Sequence, residues 1–350
     1  ISTPDDGHWY LRSTLLEEPG DPADPVDPAP APLYQPGVPL YESYSHVLQA
    51  LNRLPTARER LGGRAWSDAQ TTGQWGIWAR LDGESLRPKT HVSTTRADLD
   101  VDSWQVQMGL EAELHRGNAG MLTGGLAVHY GEADANVVSA FGAGSIDARG
   151  YGLGASVTWY GAQGFYADAQ LQLTLFDSDL RSNVLGLLKR GNDAMGEAVG
   201  IEIGQRIAIG GNFAVTPQAQ VTYAHMDFDM FRDSVDAEVS LSESSSLKTR
   251  LGVALDHQSA WERNGDLRRS SLYGIVNVSY EWEDGSVVNV SGTQITRRDR
   301  RLWGELGLGA SHAWGDGRYS IHGEVSAETP LADFGDAYAL RGTAGFRLRF

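Results

Sequence analysis

The last stretch of the chain, residues 338–350, alternates between apolar and polar positions. Its aromatic and leucine side chains fall on one parity, and its arginines fall on the other. A period of two predicts a β-strand with one apolar and one polar face. At the end of a chain, such a strand would be an exposed edge unless another strand paired with it. Pairing with the first strand of the same chain would close a barrel, and an outward apolar face would then meet lipid.

The same alternation recurs from about residue 73 to the end of the chain. Thirteen runs follow it, each long enough for the ~9–11 residues that a tilted strand needs to cross a bilayer. The run at 286–295 alternates most weakly, and single-chain bacterial barrels have even strand numbers. We therefore assign that run to a hairpin-like extension in a long loop. The pattern predicts an all-β fold, a 12-stranded antiparallel transmembrane β-barrel over residues 72–350.

Short glycine-containing turns alternate with longer polar connections between these runs. The short turns are at 117–118, 161–164, 210–211 and 315–317, and the longer links are near 84–100, 132–146, 178–193 and 227–245. This arrangement is typical of a barrel in the bacterial outer membrane. Aromatic residues near the strand ends predict girdles at the lipid interface: Trp75, Tyr130, Trp159, Tyr160, Tyr223, Tyr280 and Trp314.

A helical period precedes the first strand, over residues 39–54. Its apolar residues share one face at three- and four-residue spacing: Leu40, Tyr44, Val47, Leu48 and Leu51. Pro39 suits a first helical turn, and Pro55 should end or kink the helix. We assign residues 38–61 to a pore-plugging α-helix. Residues 1–37 contain an acidic, proline-rich stretch at 21–32, which predicts an extended, solvated linker.

The inward positions of several strands are polar or glycine, for example Gly152 and Gly154. An α-helix is ~10–12 Å across, and a barrel of about twelve strands should leave a bore close to that width. We therefore expect the helix to enter the bore. Its polar face should meet charged residues that face the lumen: Arg80, Glu111, Glu113, Asp168, Glu202, Arg250 and Glu305. The alternative is that these charges line a water-filled pore.

Composition narrows the class of protein. The chain has 350 residues, no cysteine and a net charge of −16, which argues against nucleic acid as a partner. Its mean hydropathy of −0.33 is compatible with a membrane barrel, because every second residue of such a barrel is polar. The chain contains no ~20-residue apolar run for a transmembrane helix. It also does not begin with a signal-peptide pattern, which suggests a processed or truncated chain.

Taken together, short motifs point to a resemblance. These are Trp-Tyr-Leu-Arg-Ser at 9–13, Val-Pro-Leu-Tyr at 38–41, and the segments 217–223 and 305–310, with Phe350 at the terminus. The chain resembles the translocator domain of a pertactin/AIDA-type autotransporter over essentially its whole length. The resemblance implies a barrel whose pore holds a helix leading outward to a secreted passenger. Residues 1–37 would then include the passenger junction.

The resemblance also implies partners. They are outer-membrane lipid, the chain's own passenger domain, and the barrel-assembly machinery, which reads the final strand and its aromatic end. In this chain those end residues are Phe346, Leu348 and Phe350. We expect the domain to act as a monomer.

We find no motif for a metal site, a nucleotide loop or a nucleophile elbow, so we predict no metal, no cofactor and no catalytic residues. Some members of the resembled family cleave their own passenger, and the candidate acids for this are Glu42, Glu59, Glu111 and Glu113. Three other readings stay open: a plugged outer-membrane porin or solute channel, an outer-membrane enzyme with its site on the long loops, and a soluble β-sandwich.

Overall fold

The computed structural model describes residues 33–62, 75–161 and 163–350. The sequence motif at 9–13 and the proline-rich stretch at 21–32 lie outside these residues. The elements are α1 (Val38–Leu51), α2 (Ala57–Leu61), β1 (Trp75–Arg87), β2 (Thr90–Ser93), β3 (Asp98–Gly117), β4 (Gly120–Ser139), β5 (Gly142–Gly161), β6 (Phe165–Ser182), β7 (Gly186–Gln205), β8 (Ile207–Gly210), β9 (Phe213–Phe228), β10 (Phe231–Arg232), β11 (Glu238–Arg263), β12 (Asp266–Glu281), β13 (Ser286–Val290), β14 (Thr293–Asp299), β15 (Leu302–Trp314), β16 (Tyr319–Pro330) and β17 (Tyr338–Arg349).

Twelve of these strands form a closed antiparallel barrel, as the alternation predicted. The order around the wall is β1, β3, β4, β5, β6, β7, β9, β11, β12, β15, β16 and β17. The last strand returns to the first, with Leu348 opposite Ile77 and Tyr338 opposite Arg87. Because the sheet has no edge at this seam, the backbone N–H and C=O groups of β1 and β17 hydrogen-bond to each other. Lipid could not supply partners for them.

A smaller sheet lies at the rim where the longer connections are, which we call the loop rim. It is made of β10, the start of β11, β13, β14 and β2, and we call it the cap sheet. In the wall itself β12 pairs directly with β15. The hairpin β13–β14 is therefore not part of the barrel, which confirms that the run at 286–295 had to be left out of the strand count.

Two of the predicted long loops were wrong. The links near 132–146 and 178–193 are short turns between wall strands, because β4 runs to Ser139 and β5 starts at Gly142, and β6 runs to Ser182 and β7 starts at Gly186. On β4 the outward residues up to Tyr130 are apolar, but the next three outward residues, Glu132, Asp134 and Asn136, are polar. The buried residues there are Ala133, Ala135 and Val137.

The hydrophobic alternation therefore reverses its phase at the edge of the bilayer. The same change occurs on β3, where Asp98, Asp100 and Asp102 face outward while Leu99 and Val101 are buried. Lipid requires apolar side chains on the outer face, whereas water above it favours polar ones. These strands continue past the membrane as a wall with a polar outer surface and an apolar inner surface.

The girdle assignment was wrong for one residue. Tyr160 is 8% exposed and packs inside the barrel with Met121 and Tyr166, near the rim of short turns, which we call the turn rim. Trp75, Tyr130 and Tyr223 do lie on the outer surface. Of the helices in the described part of the chain, neither α1 nor α2 has the length and apolar content to cross a membrane.

The phase reversal predicts different tolerance to charge along one strand face. Leu126→Arg places a cation on the lipid-facing part of β4, where it should cost about 2–4 kcal/mol of unfolding free energy. Asn136→Arg, on the same face of β4 beyond Tyr130, should cost little because that position is in water. Urea unfolding in lipid vesicles, followed by tryptophan fluorescence, measures both. Equal costs at the two positions would contradict the assigned membrane edge.

Candidate functional site

Residues 33–62 pass through the interior of the barrel. At the loop rim, Leu40 lies beside Gly144 and Pro36 lies beside Gly142, at the turn that joins β4 to β5. At the other end, the carbonyl of Leu61 accepts a 3.5 Å hydrogen bond from Arg347, near the turn rim. The segment is two helices rather than the single one assigned to 38–61, because the helix ends before Pro55 and restarts at Ala57. We call residues 33–62 the pore segment.

The first helix, α1, lies within the outer part of the lumen, where 11 of its 14 residues are buried and the face with His46, Gln49 and Ala50 is half-buried. The predicted apolar stripe is at most 2% exposed: Leu40, Tyr44, Val47, Leu48 and Leu51. It belongs to one apolar cluster with the inner faces of the extended strands, including Val137, Ile146 and Phe176. The ring of Tyr44 lies 4.7 Å from that of Phe228. Packing of this kind, rather than helix propensity, is what stabilises a helix of 14 residues.

Polar contacts join α1 to the cap sheet and its neighbouring loops. Glu42 accepts hydrogen bonds from Ser93 and from the backbone N–H of Thr95, the latter at 2.9 Å. Tyr41 donates a 2.5 Å hydrogen bond to Asp233. Arg297 is fully buried and donates to the hydroxyl of Ser43 at 3.4 Å. Sequence reasoning missed these partners, because they come from loops far along the chain.

His46 on α1 is the clearest case of an altered titration in this part of the lumen. Burial lowers its pKa to about 4, although Asp299, 3.5 Å away, acts in the opposite direction. Desolvation outweighs the carboxylate here, because Asp299 is also paired with the buried Arg297 at 3.3 Å. The imidazole is therefore neutral at pH 7.

Between the helices, the barrel wall supplies hydrogen-bond donors to the interrupted backbone. The carbonyl of Leu51 accepts from Gln105 at 3.2 Å and from Gln172 at 3.4 Å. The carbonyl of Pro55 accepts from Gln170 at 3.0 Å and from Gln220 at 3.3 Å. A buried helix end needs such partners, since its last carbonyls have none within the helix. Inward glutamines on three strands thus donate hydrogen bonds to the backbone carbonyls on both sides of the break in the pore segment.

Ion pairs with the barrel wall hold the short helix α2 in place. Thr56 and Glu59 form a capping box at its start. Arg58 donates to Asp256 at 2.6 and 3.3 Å, and Arg60 pairs with Asp168. The N–H of Ala57 donates to Glu202 at 3.1 Å. These acidic groups are nearly inaccessible to solvent, so the arginines balance charges that would otherwise be costly to bury.

The remaining predicted lumen charges are paired with the wall. Arg250 donates to Glu202 at 2.8 Å, and Arg80 donates to Asp82 at 2.7 Å. The other three accept from wall side chains: Glu111 from Arg347 at 3.2 Å, Glu305 from Asn277 at 2.7 Å, and Glu113 from Arg116 at 2.6 Å near the turn rim. We predicted that the polar face of the 39–54 helix meets this set, and that was wrong. It is α2 that contacts Asp168 and Glu202.

The candidate cleavage acids also have partners. Glu42 is bonded to the loop residues described above, and Glu59 accepts from Arg53 at 3.3 Å. Glu111 and Glu113 are bonded to Arg347 and Arg116. Within the described ranges, no group of three or more His, Cys, Asp or Glu residues could hold a metal ion.

The end of the last strand faces outward next to the seam. Phe346 is 41% exposed and Phe350 is 64% exposed, while Leu348 is half-buried. The N–H of Phe350 donates to the carbonyl of Trp75 at 3.0 Å, so pairing with β1 extends to the last residue. These side chains therefore form part of the lipid-facing surface at the turn rim.

Known proteins share both the sequence and the architecture. The sequence model of the family described as Autotransporter beta-domain matches residues 77–326. The chain belongs to the autotransporter β-domain family. The adhesin BmaC autotransporter of Brucella suis biovar 1 is 41% identical over the whole chain, which spans 11% of that protein. The probable autotransporter YfaL of Escherichia coli is 26% identical over 98% of the chain, which spans 27% of its length.

Solved autotransporter structures have the same fold. The transport unit of AIDA-I from Escherichia coli superposes with a TM-score of 0.70 at 17% identity, covering 91% of this chain and all of that one. The translocator domain of NalP from Neisseria meningitidis gives 0.62 at 12% identity, covering 89% and 99%. The chain is thus an autotransporter translocator domain of the bacterial outer membrane.

The ion pairs of α2 can be tested by breaking one. Asp168→Ala leaves Arg60 buried without its carboxylate, which should cost about 3–5 kcal/mol of unfolding free energy. The double variant Arg60→Met with Asp168→Leu removes both charges and should recover most of that loss. The measurement is the temperature at which the folded band disappears in a heat-modifiability gel. Equal losses in the single and double variants would show that the loss does not come from leaving the buried arginine unpaired.

Proposed function

We propose that the pore segment is the part of the polypeptide that remains in the barrel and connects it to the passenger outside. The observation that carries this is the direction of the chain, since α1 begins at the loop rim and α2 ends near the turn rim. In bacterial outer-membrane barrels, short turns face the periplasm and long loops face the exterior. The described pore segment therefore begins at the rim that faces the cell surface.

Residues 38–61 act as the plug of the barrel in this proposal. Two features support it: α1 occupies the outer lumen and packs on its apolar wall, and α2 is ion-paired to the wall deeper inside. A freely open porin would need a continuous aqueous path, which a buried helix and two buried arginine–carboxylate pairs oppose.

The last strand is proposed to be the signal that the barrel-assembly machinery reads. The residues concerned are Phe346, Leu348 and Phe350. They lie on the outer surface of β17, the last strand, where it pairs with β1. We also propose that the barrel acts as a monomer, since its closed wall offers no sheet edge at which a strand of a second copy could pair. The relative from Brucella suis is named an adhesin, and we propose that the passenger of this chain likewise acts at the cell surface.

Deleting residues 38–61 tests the plug. The purified barrel without them should show large, discrete conductance steps in planar bilayers, while the intact chain should stay nearly closed. A control deletes residues 332–336, in the mostly exposed loop between β16 and β17 at the loop rim, and should leave the lumen plugged. An intact chain that conducts as strongly as the deletion variant would instead support a porin.

Replacing the last residue tests the assembly signal. Phe350→Ala should lower the amount of folded barrel in the outer membrane, because the terminal aromatic side chain is lost from the exposed end of β17. Phe334→Ala is the control, since Phe334 is also highly exposed but lies in the loop before β17. Equal membrane levels of the two variants would argue against a role for the terminus.

A further inference from the structure

Two cavities approach α2 from opposite rims of the barrel. The first, of about 260 Å³, begins beside Pro88 and Trp303 at the loop rim and passes alongside α1 to Arg53 and Glu59; we call it the outer vestibule. The second, of about 520 Å³, begins at the turns around Gly211 and Gly317 and ends at Leu61; we call it the inner vestibule. Filling of the lumen by α1 is thus incomplete on the side of β11 to β17.

One layer of residues separates the two vestibules, and it can be traced strand by strand. On β12, Asn277 lines the outer vestibule and Ser271 lines the inner one, with Tyr273 between them. On β16, Glu324 lines the outer vestibule and the adjacent inward residue, His322, lines the inner one. Of these described residues, Tyr273 lines neither vestibule.

The layer is built around the ring of Tyr273. The guanidinium of Arg58 lies 4.4 Å from the centre of this ring, and the phenol donates to Glu324. Arg58 is fixed in turn by Asp256, which also accepts from Thr216 at 3.2 Å. Cation–π and charge-assisted contacts of this kind are strong where water is excluded.

Glycines on the neighbouring strands make room for the layer. A Cβ atom on Gly309 would come within 2.3 Å of the Tyr273 hydroxyl, so the ring lies directly over the bare backbone of β15. A Cβ atom on Gly345 would come within 2.2 Å of the His322 ring. His322 also contacts the carbonyl of Glu59 at 3.0 Å. The wall therefore admits two inward rings at the level of α2.

We propose that the permeability barrier of the plugged barrel is this layer, made of Arg58, Asp256, Tyr273 and Glu324, and not the longer helix α1. The inference rests on the proposed plug and names the part of it that excludes ions. Water and small ions from outside pass alongside α1 into the outer vestibule and stop at Tyr273. On the opposite side of α2, the contacts of Arg60 with Asp168 and Thr158 complete the barrier.

Side-specific thiol labelling tests this, because the chain contains no cysteine of its own. Ser279→Cys places a thiol above the layer in the outer vestibule, and Ser271→Cys places one below it in the inner vestibule. The barrels are reconstituted in vesicles and selected, by a tag inserted between β4 and β5, for an outward-facing loop rim. A small cationic methanethiosulfonate is then added outside, and the label is read by mass spectrometry.

We expect Ser279→Cys to be labelled and Ser271→Cys to be protected. Adding Tyr273→Ala should remove the protection of Ser271→Cys and raise conductance in planar bilayers. Tyr273→Phe retains the ring and should stay closed. Protection of Ser279→Cys in the otherwise unaltered chain would overturn the proposal, since α1 would then be the barrier; labelling of both positions would also overturn it.

The deletion of residues 38–61 separates the two proposals. If Ser271→Cys becomes labelled in the deletion variant but not with Tyr273→Ala, the plug stands and the layer is refuted. If it stays protected in both, the plug proposal itself fails. A heat-modifiable gel shift identifies the folded variants, and the two single-cysteine variants give a result even if Tyr273→Ala does not fold.

Discussion

Closure of the wall in lipid is the constraint on which the remaining structure depends. Every backbone group at the membrane level must find its partner within the sheet, and the pairing of β17 with β1 provides the last set of partners. Because the number of strands is even, β1 begins at the same rim at which β17 ends. The pore segment precedes β1, yet its first helix lies at the opposite rim. The polypeptide therefore has to run through its own barrel.

The lumen it runs through offers two different environments. Above the membrane, the inner wall is apolar and accepts α1 much as a soluble protein accepts a core helix. At membrane level, the outer wall must be apolar, so polar side chains face inward, and α2 meets them with arginines. The break at residues 52–56 falls where one environment gives way to the other. The change in character along the pore segment thus follows from the change along the wall.

Most of the barrel could be predicted from the sequence, because period-two alternation is a local signal. The strand count needed one further judgement, that the run at 286–295 lies outside the wall, and β12 pairing with β15 explains why. The extended strand ends were mistaken for loops because their alternation changes phase, so their polar residues resemble a solvated link. The sequence did not show that residues 57–61 form a separate helix, because five residues carry no period and the ion-pair partners of α2 lie 108 and 198 positions away. Contacts of that separation depend on the register of the whole barrel.

The apolar packing of α1 against the inner wall has a mechanical consequence. A force that pulls a surface-held domain away from the cell would act on the first turn of α1 and draw it along the barrel axis. Withdrawal would expose five fully or nearly buried side chains at once, and burial of each is worth about 1.5–3 kcal/mol. The arginines of α2 would have to leave their carboxylates in the same movement. The tether would resist tension by shear of the entire helix against the wall.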